Sequence, residues 1–183
     1  MPTTDSRATV RVAWSADAIH AHIHVKDANV LRSTFTSLPN TPTEFYDSDN
    51  VQIFFAVENP GTFTTDAFQL FMIPPDTSQG ALYPDEYSYA GDGYDYYTST
   101  YYVFSYASRI VADGYEVELK ATVPTGVTLT SATSVLFDVQ VGVKDTTNAS
   151  TRDFEYAYAY NCTGTCPEGP YYLTSYWCNP TLE

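Results

Sequence analysis

Three histidines at alternate positions in "IHAHIHV" (19 to 25) put His20, His22 and His24 on one face of an extended segment, with Ile19, Ala21, Ile23 and Val25 on the other. Imidazole is a transition-metal ligand. Neighbouring pairs on such a strand lie about 7 Å apart, within reach of one ion, and the outer two about twice that. A two-histidine site is the most the motif provides. With no acid placed beside it by the sequence, the face reads as the polar surface of a strand. Asp47 and Asp49 in "FYDSDNVQIFF" (45 to 55) are a second candidate, since hard oxygen donors on a turn suit calcium, while an Asp in a turn also bonds its own backbone. No nucleophile elbow or phosphate-cradling glycine loop is present, and the three histidines fall within five residues of each other. The chain therefore reads as no enzyme.

The elements that must position these side chains are strands. Period-two alternation runs through residues 8 to 14, 18 to 25, 50 to 57, 67 to 73, 101 to 111, 115 to 123, 135 to 145 and 152 to 160, and helical spacing is hard to find. Turn residues punctuate them, among them Asn59-Pro60-Gly61, Asp113-Gly114 and Pro124-Thr125-Gly126. The pattern predicts an all-β antiparallel β-sandwich on a Greek-key or jelly-roll path, immunoglobulin-like, as a single domain over residues 1–183 with its strands within 8–160. A Tyr-, Asp- and Gly-rich excursion at 81–99 breaks the rhythm and reads as a long loop or a small hairpin. Nine of the 17 tyrosines lie between Tyr83 and Tyr106, as a ligand wall or as a flap packed on the sandwich rim.

Parity along the strands places further candidates. Val51, Ile53 and Phe55 face inward and leave Gln52 outward; Phe68, Leu70 and Met72 do the same for Gln69; Val139, Val141 and Val143 leave Asp138, Gln140 and Lys144 outward. If these strands share a sheet, Gln52, Gln69 and Gln140 make a polar floor whose amides both donate and accept hydrogen bonds.

Twenty-two acidic against eight basic residues give a formal charge of −14, which repels phosphate backbones and anionic lipid heads, so neither nucleic acid nor a membrane is expected as partner. No apolar run approaches the roughly 18 residues of a spanning helix. Beginning at Met1-Pro2 and ending at Leu182-Glu183, the chain reads as a trimmed piece of a longer protein, so the lack of a leader excludes nothing. Cys162, Cys166 and Cys178 gather in the C-terminal segment 161–183. One disulfide and a spare thiol fit an oxidising compartment, and a zinc site lacks a fourth ligand.

The order "VRVAWSADAIHAHIHVKD", "FYDSDNVQIFF", "DAFQLFMI", "DGYEVELKATVP" and "VLFDVQVGVKDTTNASTRDFEYAYAY" resembles a family 9 carbohydrate-binding module over residues 8 to 160. The resemblance implies a secreted or cell-surface, non-catalytic β-sandwich, stabilised by calcium and attached to a larger protein, that holds sugars or polysaccharide chain ends between two aromatic rings. It places Tyr46, three positions before Asp49, as one ring and Tyr158 as the other, with Tyr156 and Tyr160 as rivals. Gln52 falls where the family has a sugar-bonding Glu. Both ring positions are Tyr where the family typically has Trp, and "DAFQLFMI" lacks the family's Arg. Two alternatives stand beside it: a surface or scaffold domain that has lost sugar binding, and a related DOMON-like domain holding haem b, for which Met72 and Lys144 are the candidates.

Overall fold

The computed structural model describes residues 8–30, 49–57, 67–72, 87–90, 103–143 and 154–157. They form nine strands and no helix: β1 Ala8–Ser15, β2 Ala18–Lys26, β3 Asn50–Val57, β4 Ala67–Met72, β5 Tyr87–Ala90, β6 Val103–Val111, β7 Gly114–Thr122, β8 Val135–Val143 and β9 Phe154–Ala157. Every pairing is antiparallel. One sheet has the order β1-β2-β7-β6 and the other β5-β4-β3-β8-β9. The two central pairs, β2 with β7 and β3 with β8, join strands far apart in sequence, so the chain crosses between sheets as the expected sandwich requires.

Two-residue turns set the register of the four-stranded sheet. Ala16-Asp17 joins β1 to β2, where the Ser15 hydroxyl donates to Asp17 Oδ1 at 2.7 Å. Ala112-Asp113 joins β6 to β7 and delivers Gly114 at φ +150°. A Cβ at Gly114 would strike the carbonyl oxygen of Val25 and the amide of Asp27, so glycine is required for β7 to close on β2.

The alternation predicted from sequence delivers the core. Ile19, Ile23 and Val25 of β2 and Tyr115, Val117 and Leu119 of β7 meet Val51, Ile53 and Phe55 of β3 and Val139, Val141 and Val143 of β8. Burying each such side chain contributes about 1.5–3 kcal/mol. Tyr115 crosses the core, wholly buried, and its hydroxyl lies 3.5 Å from the Asn50 carbonyl oxygen of the opposite sheet. Met72 is a core residue registered against Val51, as its parity requires; Lys144 lies outside the described residues.

Nine strands appear where the sequence reading gives eight. The added one, β5, lies inside the 81–99 excursion and pairs with β4, so part of that segment is neither loop nor self-contained hairpin. Repeated Tyr, Gly and Asp blur period-two alternation there, although Tyr is a good strand former. The three cysteines lie outside the described residues.

Candidate functional site

The five-stranded sheet turns its second face away from the core, and β3 and β8 build its centre. Asn50, Gln52 and Phe54 alternate along β3, each opposite a β8 residue: Gly142, Gln140 and Asp138 respectively. The two glutamines predicted as a floor are thus direct cross-strand neighbours, where side chains interact most strongly. The register continues outward. Gln69 of β4 stands opposite Phe54, and β5 brings Tyr89 opposite Gln69 and Tyr87 opposite Phe71. One row therefore runs Asp138, Phe54, Gln69, Tyr89, and the next Gln140, Gln52, Phe71, Tyr87.

This face is not an open surface. Asn50, Gln52 and Asp138 are 0% exposed and Gln140 2%, so the outward direction read from parity is right but exposure to solvent does not follow from it. Such groups must find partners inside the protein. Gln52 Nε2 donates to Asn50 Oδ1 at 3.0 Å, and the Val139 amide donates to Asp138 Oδ1 at 2.7 Å. Among the described residues Gln140 Oε1 has no hydrogen-bond partner. It is a buried acceptor beside an amide pair, a position from which it can accept a hydrogen bond from a hydroxyl.

Asp49, adjacent to β3, is wholly buried. Tyr46, Asp47 and Tyr158 lie outside the described residues, as does Tyr160. Tyr156 of β9 is registered with Val141, and Ala157 with Gln140. Sequence reasoning missed Asn50 on the amide face and the register positions of Tyr87 and Tyr89. Asn50 was recoverable from its spacing of two from Gln52; the tyrosines needed the β4–β5 pairing.

The outer face of the four-stranded sheet is chemically different. His20, His22 and His24 stand opposite Lys120, Glu118 and Glu116 of β7. Acids are therefore placed beside the histidines, against the sequence reading: His22 Nε2 lies 3.8 Å from Glu116 Oε1, and His24 Nε2 lies 3.1 Å from Asp113 Oδ1. The β7 pairing that does this joins segments some ninety residues apart, which no local pattern reveals. Arg109 of β6 donates to Glu116 Oε2 at 2.6 Å and, as the largest influence on it, holds that carboxyl below the usual range. A Ser15 hydrogen bond, with Lys120 nearby, lowers Asp17 likewise. A groove of about 500 Å³ crosses this face between Arg11, His20, His22, Glu118 and Lys120.

Two antiparallel sheets around one apolar core, with a buried amide row on the far side of one of them, define a β-sandwich domain with a specialised sheet face. The family model described as carbohydrate family 9 binding domain-like matches residues 1–177, and the chain belongs to that family. Two solved structures of a family 9 carbohydrate-binding module from Caldicellulosiruptor kristjanssonii share the fold, one in complex with cellotriose and one with glucose. Their TM-scores are 0.68 and 0.69 at 18% identity, over 100% of this chain and 77% and 79% of theirs. No match was found among curated proteins.

Proposed function

We propose that the chain is a non-catalytic carbohydrate-binding module that takes its sugar at the amide face of the five-stranded sheet. The observation that carries this reading is the cross-strand pair Gln52 and Gln140, with Gln140 Oε1 a buried acceptor without a partner among the described residues, in a chain of this family. A pyranose offers hydroxyls to amides and a C–H face to aromatic rings. In this reading Gln52, Gln140 and Gln69 bond the hydroxyls while Tyr46 and Tyr158 stack on the ring. The near-zero exposure of Gln52 and Gln140 has a consequence: sugar reaches them only by displacing their present cover.

Calcium belongs to the same proposal. Asp49 is wholly buried beside β3, and Asp47 stands two positions before it. Asp47 and Asp49 would supply hard oxygen ligands, and the ion would fix the chain leading into β3. The module is also expected to be extracellular, as part of a larger secreted or surface protein. Among the described residues no helix is long and apolar enough to cross a membrane.

Calorimetry with glucose and cellotriose tests the reading, on the chain itself, on Tyr46→Ala and on Gln140→Leu, each in calcium and in EDTA. Binding to the unaltered chain, lost in both variants, is the expected result. Gln140→Leu should stay folded with a loss of at most about 1–3 kcal/mol, because its Oε1 has no hydrogen bond to lose among the described residues. A melting temperature lowered by EDTA is expected from the calcium. A folded chain that takes up neither sugar sinks the proposal and leaves a surface or scaffold domain that has lost its sugar, the reading the buried glutamines would then favour.

A further inference from the structure

The outer face of the four-stranded sheet plays no part in that reading, and the groove across it has a chemistry of its own. We infer that this groove is a second carbohydrate subsite, for a sugar that carries a carboxylate, a uronic acid. Among the described residues every lysine and arginine, Arg11, Lys26, Arg109 and Lys120, belongs to this sheet. The groove gathers two of them. Arg11 of β1, His22 of β2 and Glu118 of β7 form one row across it, and His20 and Lys120 stand in the next. Ala13 and Ala107 end these rows with small side chains, which leaves a trough of about 500 Å³, within the usual range of a ligand pocket.

The cations of this face are not equally occupied. Arg109 is held by Glu116 at 2.6 Å, whereas Arg11 is exposed and has no ion pair among the described residues. Its planar guanidinium matches a carboxylate through two parallel hydrogen bonds. Lys120 lies 3.7 Å from Asp17 Oδ2, and an ammonium with three donors keeps others for a ligand. Glu118 is exposed in the same groove and accepts only, so it suits hydroxyl donors and repels a second anion. His20 and His22 stand between these groups and donate or accept according to tautomer.

The lining therefore asks for a ligand with one carboxylate and several hydroxyls. A neutral sugar leaves Arg11 unanswered, and a polyanion or acidic peptide meets Glu118 with like charge. Arg11 and Glu118 are two strands apart, about 10 Å at the backbone, and their long side chains can reach opposite ends of one pyranose. The formal charge of −14 does not forbid the anion, because exposed charges are screened beyond about 8 Å at physiological salt and the local set decides. No side chain has to leave its present partner. The site lies on the other sheet from the amide face, so either can fail without the other.

The test is a titration of the full chain at neutral pH with sodium glucuronate, glucose and sodium acetate, followed by NMR of the backbone amides, with Arg11→Gln and Lys120→Gln alongside. Glucuronate should move the Arg11, His22 and Lys120 signals saturably, with an affinity at least about tenfold above that of glucose or acetate for the same residues. Arg11→Gln should weaken it about tenfold, as expected for the loss of a charge-assisted hydrogen bond. Lys120→Gln should weaken it less, because Lys120 also faces Asp17, and added salt should weaken it in every chain. Neither side chain is buried, so both variants should stay folded. Any glucose response in the five-stranded sheet should be the same in Arg11→Gln as in the unaltered chain. Four results overturn the inference: no shift at this face, an equal response to acetate, which means an adventitious anion only, an equal response to glucose, or a glucuronate response that neither variant alters.

Discussion

The two outer faces of the sandwich share a sequence rhythm and differ in their fate. In β8 all nine residues are buried, and in β3 only Val57 escapes; in β2 and β7 buried positions alternate with half-exposed or exposed ones. "VLFDVQVGV" and "AIHAHIHVK" both alternate, so alternation tells which side of a strand meets the core and not whether the other side is wet. The residue types on the second side carry that information. The covered face holds Phe54, Leu136, two glutamines, an asparagine and a glycine, groups whose burial is cheap or offset by amide pairing, and a single carboxylate, Asp138, which accepts from the Val139 amide. The wet face holds three histidines, Glu116, Glu118, Lys120 and Arg109, of which most are ionised near neutral pH and expensive to cover.

Phe54 tests the contrast most severely. Phe54→Ala should cost about 3–5 kcal/mol, as for a phenylalanine inside a core, although Phe54 points away from the core between the sheets. His20→Ala on the wet face should stay within about 0.5–1 kcal/mol. Urea denaturation of the two variants measures both; equal small losses would mean that the amide face is open in solution. Gly142→Ala comes next. A Cβ there would lie 2.5 Å from Asn50 Nδ2 and 2.9 Å from Oδ1, forcing aside the amide that accepts from Gln52. A loss of about 1–3 kcal/mol is expected, the usual range for overpacking. An unchanged melting temperature would show that Asn50 swings away freely and that the amide row is not held.

The same contrast decides how much of the fold and the site is legible in the sequence. The sandwich, the inward sets of β2, β3 and β8 and the core place of Met72 all come from local period-two patterning, and each is found. Gln52 and Gln140 share a face because parity is local, but their being opposite neighbours depends on the β3–β8 register, across more than eighty residues. Non-local pairing also hides the histidines' acids, Glu116 and Asp113, and the strand at Tyr87–Ala90. Burial of the amide face is the hardest to foresee, because cover depends on what packs above a sheet, and a strand's own sequence only permits or forbids it. Tyr46, Asp47 and Tyr158 rest on the family pattern alone.

The smallest expected effect probes the order of the wet face. Glu116 titrates below the ordinary glutamate value of about 4.3 because Arg109 hydrogen-bonds it, with His22 and His24 adding attraction. A carboxyl lowered on folding contributes stability above its unfolded pKa and loses it as pH falls through the folded value, so this contribution is intact at neutral pH and fades only at the acid end, below about pH 4. Arg109→Gln removes the largest cause, and the Glu116 midpoint followed by carbon NMR should rise toward the ordinary value. Stability near neutral pH should hardly change, because an exposed ion pair is screened by water and salt. A midpoint that stays where it was would mean that the two side chains do not meet in solution. Glu116 Oε1 would then no longer be aimed at His22, and the histidine face would be a scatter of charges in place of an ordered set of ion pairs.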